Sequence, residues 1–185
     1  APDRADRVRR RVAAADRPAD VATETAPDRI DPRTLCLALA ERLPDDATVA
    51  IDSGNNTGFP AVFHPLGRGG RMLVNGNFGT MGYALPAALG AAVADDEPVV
   101  CYTGDGALLQ VLGDVETAAR LSLPVLVVVL NDASYGIIRH RQRMDYGRET
   151  TASYDSPDLA ATAEGPGAPA ATGRPAAHPG VADHL

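Results

Sequence analysis

Two short apolar runs, each ending in acidic or amide side chains, constrain this chain more than any other feature. Val99-Val100-Cys101-Tyr102-Thr103 leads into Gly104-Asp105-Gly106, and Val125-Leu126-Val127-Val128-Val129-Leu130 leads into Asn131-Asp132. Runs of this length rich in Val and Leu read as strands, and the stretch between them, about 108–121, reads as a helix. Strands joined by a helix are parallel, so both C-terminal ends fall on one edge of a sheet. Open α/β sheets bind their ligands along that edge. The expected fold class is therefore α/β: a mostly parallel sheet sandwiched by helices, in a single domain. A hard cation such as Mg²⁺ takes about six oxygens, commonly one or two carboxylates with substrate phosphates and water. Asp105 and Asp132 would bring two carboxylates to the edge. Taken alone, Gly-Asp-Gly is also ordinary strand-to-helix turn chemistry, and Asn131-Asp132 could be an Asx-turn closing a strand.

Composition narrows the classes of function. The chain has 185 residues, 45% of them hydrophobic, enough for one domain with a substantial core. No apolar run approaches the roughly 18 residues of a membrane span. A net charge of -7 argues against nucleic acid as a partner. The arginines near the N-terminus are followed by Ala and Asp rather than an apolar core, so export is not expected. Cys36 and Cys101 lie in apolar segments and read as two buried thiols in a reducing, cytoplasmic setting.

Three regions follow from the organisation of the chain. Residues 1–29 are rich in Ala, Arg, Asp and Pro and read as a linker or the remnant of a preceding domain. Residues 30–162 carry the periodic segments. Asp31 and Pro32 mark a helix start, with Leu35, Ala38, Leu39 and Leu43 on one face and Pro44-Asp45-Asp46 as the stop. Strands are expected at 48–51 and 72–74, the second delivering a glycine-rich segment at 75–82 and a helix of small residues beyond it. A last helix begins near Tyr135. Residues 163–185 are Ala, Gly and Pro with few apolar anchors and read as a low-complexity, disordered tail.

In their order and spacing these motifs resemble the thiamin-diphosphate-dependent enzymes of the decarboxylase and acetolactate-synthase type. The resemblance runs from Ile30 to Gly147, about two thirds of the chain. It is carried by Gly104-Asp105-Gly106, by Asn131-Asp132-Ala133-Ser134-Tyr135-Gly136, by Gly79-Thr80-Met81-Gly82 with its following Pro86-Ala87-Ala88 helix, and by the loop Asp52-Ser53-Gly54-Asn55-Asn56. It implies thiamin diphosphate and Mg²⁺ as cofactors, with Asp105, Asp132 and the Ser134 carbonyl as metal ligands. Asp132 stands where the family commonly has Asn. Gly54, Asn55, Asn56, Gly104, Gly106, Ala107, Asn131, Tyr135, Gly136 and Ile137 would line the cofactor. Met81 would prop the two cofactor rings into a V, and the Gly79 carbonyl would accept from the aminopyrimidine, giving these two residues catalytic roles. Ile137 and Ile138 fall where the family lines its substrate pocket. The basic run Arg139, His140, Arg141 and Arg143 would meet an anionic substrate, a partner subunit, or only solvent.

In the family an activating Glu comes from a separate pyrimidine-binding domain, and no Glu here has a matching context. The resemblance therefore implies the diphosphate-binding half of an acetolactate-synthase-like 2-oxo acid decarboxylase or carboligase, a lyase or transferase active only with a pyrimidine-binding domain or subunit in a homo- or hetero-oligomer. One alternative is a subunit of a split sulfopyruvate- or phosphonopyruvate-type decarboxylase. An alternative of another class is a non-catalytic or regulatory partner of a complete thiamin-diphosphate enzyme.

Overall fold

The structure, a computed structural model, describes residues 6–7, 29–95 and 97–173. Helix α1 spans Pro32–Ala40. Asp31 caps it by accepting from Arg33 N, and Pro32 occupies the first turn, where its missing N–H costs nothing. Strand β1 is Thr48–Ile51, followed by helix α2 at Gly58–Phe63 and strand β2 at Arg71–Val74. Helix α3, Ala84–Ala94, leads to β3 at Val99–Gly104. Two short helices follow, α4 at Asp105–Gln110 and α5 at Gly113–Arg120, then β4 at Val125–Leu130, α6 at Gly136–Tyr146 and α7 at Leu159–Glu164.

The four strands form one sheet in the order β2-β1-β3-β4, and every pairing is parallel. The chain steps one way from β1 to β2, then back across β1 to β3 and on to β4. With right-handed crossovers this reversal places helices on both faces. On one face Cys36 and Leu39 of α1 pack on Val49, Ile51, Val100 and Tyr102, with Phe59 and Phe63 of α2 beside them. On the other face Leu85, Ala88, Leu89 and Ala92 of α3 and Val115 of α5 pack on Ala50, Val99 and Cys101. The alanines of α3 let its backbone lie close to the sheet. Strands β1 and β3 are buried along their length apart from Gly104, whereas β4, equally apolar, is half-buried at every position because it is an edge.

Several expectations meet the structure directly: the α/β class, the β1 boundaries, and two free, buried cysteines. Others shift. Helix α1 stops at Ala40 rather than running to Pro44, because the chain tightens into a turn in which Arg42 N and Leu43 N both donate to Leu39 O. The helix expected at 108–121 begins at Asp105 and breaks at Val111, whose φ of -127° leaves the helical region just before Gly113, a poor helix former. Helices α2 and α7 were not foreseen. Helix α7 crosses the position where a tail was expected to begin, and Ala163 and Ala168 pack against the core. The expected linker at 1–29 lies outside the described residues except for positions 6, 7 and 29, as does the expected tail from 174 onward. No helix among the described residues is long and apolar enough to cross a membrane.

Candidate functional site

The strand order reverses between β1 and β3, and the C-terminal ends of strands at such a reversal are the usual ligand position in open parallel sheets. Asp52 closes the end of β1. Its Oδ1 accepts from Ser53 N at 2.8 Å and Gly82 N at 2.9 Å, and its Oδ2 from Thr103 Oγ1 at 3.0 Å and Ala84 N at 3.4 Å. This side chain is fully buried and uses both oxygens on protein donors. Two of those donors belong to the start of α3, where a carboxylate also complements the helix dipole. Asp52 thus ties the loop bearing Gly79 and Met81 to the ends of β1 and β3. Sequence reasoning read Asp52 only as the start of a loop. An Asp directly after a buried strand was the available signal.

The loop after Asp52 folds around Thr57, whose hydroxyl lies 2.7 Å from Asp52 O and accepts from Gly54 N at 3.0 Å. Gly54 has φ +155°, a region closed to most side chains. Asn56 is buried against Gly104, and its Nδ2 donates to nothing among the described residues. An unmet buried donor costs about 1–3 kcal/mol, so a free protein keeps one where an incoming acceptor rewards it.

At the end of β3, Asp105 is 2% exposed, and its Oδ2 accepts from Tyr154 OH at 2.8 Å. At the end of β4, Asn131 Oδ1 accepts from Ala133 N at 3.1 Å in an Asx-turn, and Ala133 takes a left-handed φ of 52°. Asp132 stays open to solvent and pairs with Arg139 Nη2 at 3.4 Å. Gly136 is required here: a Cβ on it would lie 2.8 Å from Asp132 Oδ2 and 3.0 Å from Asn55 Cβ. The Asn55 loop, Asp132 and the start of α6 therefore meet at one point. Among the described residues no group of three or more His, Cys, Asp or Glu gathers to hold a metal, and Asp105 and Asp132 are two carboxylates, the number Mg²⁺ takes when water and phosphate supply its other ligands. The orphaned amide of Asn56 beside Gly104 fits a diphosphate next to that ion.

Gly79 has φ +66° and its N–H donates to Asn75 O at 2.9 Å, while Met81 is half-buried with Gln110 Nε2 4.0 Å from its sulfur. Gly82 admits Val111, whose Cγ1 lies 2.9 Å from where a Cβ would stand, so the break between α4 and α5 brings that helix pair up to the Met81 loop. Ile137 and Ile138 are each half exposed on α6, and Phe78 is almost wholly exposed. Of the basic run, Arg139 pairs with Asp132, Arg141 with Asp145 and Arg143 with Glu149, while His140 is exposed.

Tyr154 is the residue sequence reasoning left unassigned that the structure brings to the site. Burial, and after it the hydrogen bond to the Asp105 carboxylate, pushes its phenol above the ordinary tyrosine range. Its ring lies 5.4 Å from that of Tyr135.

A family profile for the thiamine pyrophosphate enzyme C-terminal TPP binding domain matches residues 52–182. The large subunit of acetolactate synthase isozyme 3 from Escherichia coli K12 is 37% identical over 144 residues, covering 76% of this chain and 25% of that protein. The acetolactate synthase large subunits of Buchnera aphidicola subsp. Acyrthosiphon pisum and Haemophilus influenzae are each 34% identical, over 140 and 138 residues. They cover 74% and 73% of this chain and 24% of each relative. The chain thus spans about a quarter of the length of the curated relatives it matches. With the fold, the strand reversal and the matched residues in agreement, this chain belongs to the thiamine pyrophosphate enzyme family, whose C-terminal TPP-binding domain it matches.

Proposed function

We propose that this chain is the diphosphate-binding half of a thiamin-diphosphate- and Mg²⁺-dependent decarboxylase or carboligase of the acetolactate-synthase type, acting on 2-oxo acids. The observation that carries the reading is the meeting of three loops, 52–56, 104–107 and 131–136, at the β1/β3 reversal, with the carboxylates of Asp105 and Asp132 and the unpartnered buried amide of Asn56 among them. Asp105, Asp132 and the Ser134 carbonyl would hold Mg²⁺. Asn55, Asn56 and the backbone at 104–107 would hold the diphosphate, with Gly54, Asn131, Tyr135, Gly136 and Ile137 shaping the walls.

The bound cofactor supplies the carbanion chemistry by which a 2-oxo acid loses CO₂. The chain's own residues bind, orient and shield. Met81 would support the cofactor's bent shape and the Gly79 carbonyl would accept a hydrogen bond from its amino group. Arg139, drawn onto Asp132, offsets the charge of the second carboxylate, which would otherwise repel the diphosphate. Ile137 and Ile138 present an apolar wall, which suits a carboligase acceptor or a bulky oxo acid.

The activating Glu would come from a pyrimidine-binding domain or subunit. Similarity to three large subunits of acetolactate synthase favours this over a split sulfopyruvate-type enzyme. The test is calorimetric titration with thiamin diphosphate and Mg²⁺, with and without a pyrimidine-domain chain, against Asp105→Ala. Mg²⁺-dependent binding that disappears in the variant is expected. Cofactor binding indifferent to both Mg²⁺ and Asp105 would overturn the reading.

A further inference from the structure

We propose that Tyr154 is a positioning residue for the cation site, acting through Asp105, and that residues 152–154 form a strap that holds the ends of β3 and β4 in register for that ion. The inference rests on the cation-site reading above. Tyr154 reaches across 49 positions of sequence to donate to Asp105 Oδ2 at 2.8 Å. The same short segment grips the loop after β4: Tyr154 N donates to Ala133 O at 3.1 Å, and Tyr135 N donates to Ala152 O at 2.8 Å. One segment therefore touches both of the loops that supply the ion's ligands.

The pattern of these bonds has a directional consequence. Ser134 and Ser153 face each other as an isolated antiparallel bridge. The bonds are made by their neighbours, so Ser134 is at a non-hydrogen-bonded position and its own carbonyl points away from the strap. The strap thereby fixes the loop without consuming the carbonyl assigned to the metal. At Asp105 the phenol on Oδ2 makes the one hydrogen bond its carboxylate has among the described residues, so Oδ1 is left for a ligand. A carboxylate torsion is broad and nearly two-fold when unheld, so a fixed donor on one oxygen chooses which oxygen faces the ion.

Space for the strap is reserved in the sequence. A Cβ on Gly106 would stand 2.9 Å from Tyr154 OH and 2.8 Å from Tyr135 Cε1. The glycine after Asp105 therefore admits the two tyrosines whose rings lie 5.4 Å apart. Ala152, which accepts from Tyr135, is itself buried.

The experiment is Mg²⁺ titration by calorimetry on the chain assembled with its pyrimidine-binding partner, comparing wild type with Tyr154→Phe, Asp105→Asn and Tyr146→Phe. Tyr146 is an exposed tyrosine on α6 and serves as the control. Tyr154→Phe is expected to weaken Mg²⁺ binding by about 10- to 100-fold, the range for loss of a partner that orients a metal ligand, with Tyr146→Phe unchanged. The cation-free Tyr154→Phe chain loses the one donor to buried Asp105 and its melting midpoint should fall, so positioning is read from Mg²⁺ affinity measured well below that midpoint, where the variant is folded. Wild-type Mg²⁺ affinity in Tyr154→Phe, with affinity lost in Asp105→Asn, would overturn the proposal and leave the cation site standing. Wild-type affinity in Asp105→Asn would instead overturn the cation site itself. Should Tyr154→Phe not fold, the wild-type protein with carbon-labelled tyrosine rings decides: the Tyr154 resonance moves on adding Mg²⁺ if the proposal holds, and a resonance that stays put overturns it.

Discussion

Strands β1 and β3 are neighbours, and each ends in a buried aspartate, yet the two side chains are treated oppositely. Asp52 accepts from four protein donors spread over both oxygens. Asp105, almost as deeply buried, accepts from a single phenol. A buried carboxylate is tolerable only when its charge is met by donors or an ion. Asp52 meets that need within the protein and therefore acts as a fastener between β1, β3 and the start of α3. Asp105 leaves an oxygen over, and the polar atoms left over around it, Asn56 Nδ2 and Ser134 Oγ, cluster at the same sheet end. Complete satisfaction marks structure, and shared shortfall at a sheet end marks a site.

The comparison can be broken most forcefully at Asp52. Asp52→Ala strands Gly82 N, Ala84 N and Thr103 Oγ1 and is expected to cost about 3–5 kcal/mol in chemical denaturation. A loss under about 1 kcal/mol would mean that the network is not a fastener. Asp105→Asn should do the reverse. Its stability should stay within about 1 kcal/mol of wild type, while Mg²⁺ affinity falls by at least about 100-fold, since a ligand is lost rather than its support. Unfolding without a change in affinity would put Asp105 in the same class as Asp52.

Gly106→Ala tests the crowding beside Asp105. The added methyl meets Tyr135 and Tyr154, so overpacking of about 1–3 kcal/mol should accompany weaker Mg²⁺ binding. The smallest effect concerns another satisfied polar group. His64 Nδ1 pairs with Tyr102 OH at 2.8 Å beneath α2, and burial holds its pKa below the ordinary 6.5. The unfolded chain then binds the proton that the folded chain refuses. Stability from this group is complete above pH 6.5 and is lost as pH falls through the lower folded value. Denaturation midpoints across that interval should decline, and His64→Asn should flatten the decline. A slope unchanged in the variant would assign it to other groups.

Much of this was legible beforehand because it depends on local chemistry. Pro32 after Asp31 announces a helix start whatever surrounds it. The short, Val-rich apolar runs of β3 and β4 read as buried or half-buried strands from their length and β-branched content. The loops bearing Asp105 and Asn131-Asp132 were readable because strand ends in parallel sheets share an edge. Helix α5 was misjudged as continuous with α4 because the residues around Val111 keep an apolar period. Gly113 is a local reason for the break, but the seat it gives Val111 against Gly82 is a contact no local pattern contains. Tyr154 was ambiguous for the same reason: its partner lies 49 positions away.

The sequence by itself determined the class of fold and which polar residues follow each strand, since periodicity and turn chemistry act over a few residues. Only the tertiary structure decided which of the two buried aspartates is consumed by its own protein and which is left open. That choice depends on donors brought in by Gly82, Thr103 and Tyr154 from distant parts of the chain, and their arrival is a property of how the helices cross the sheet.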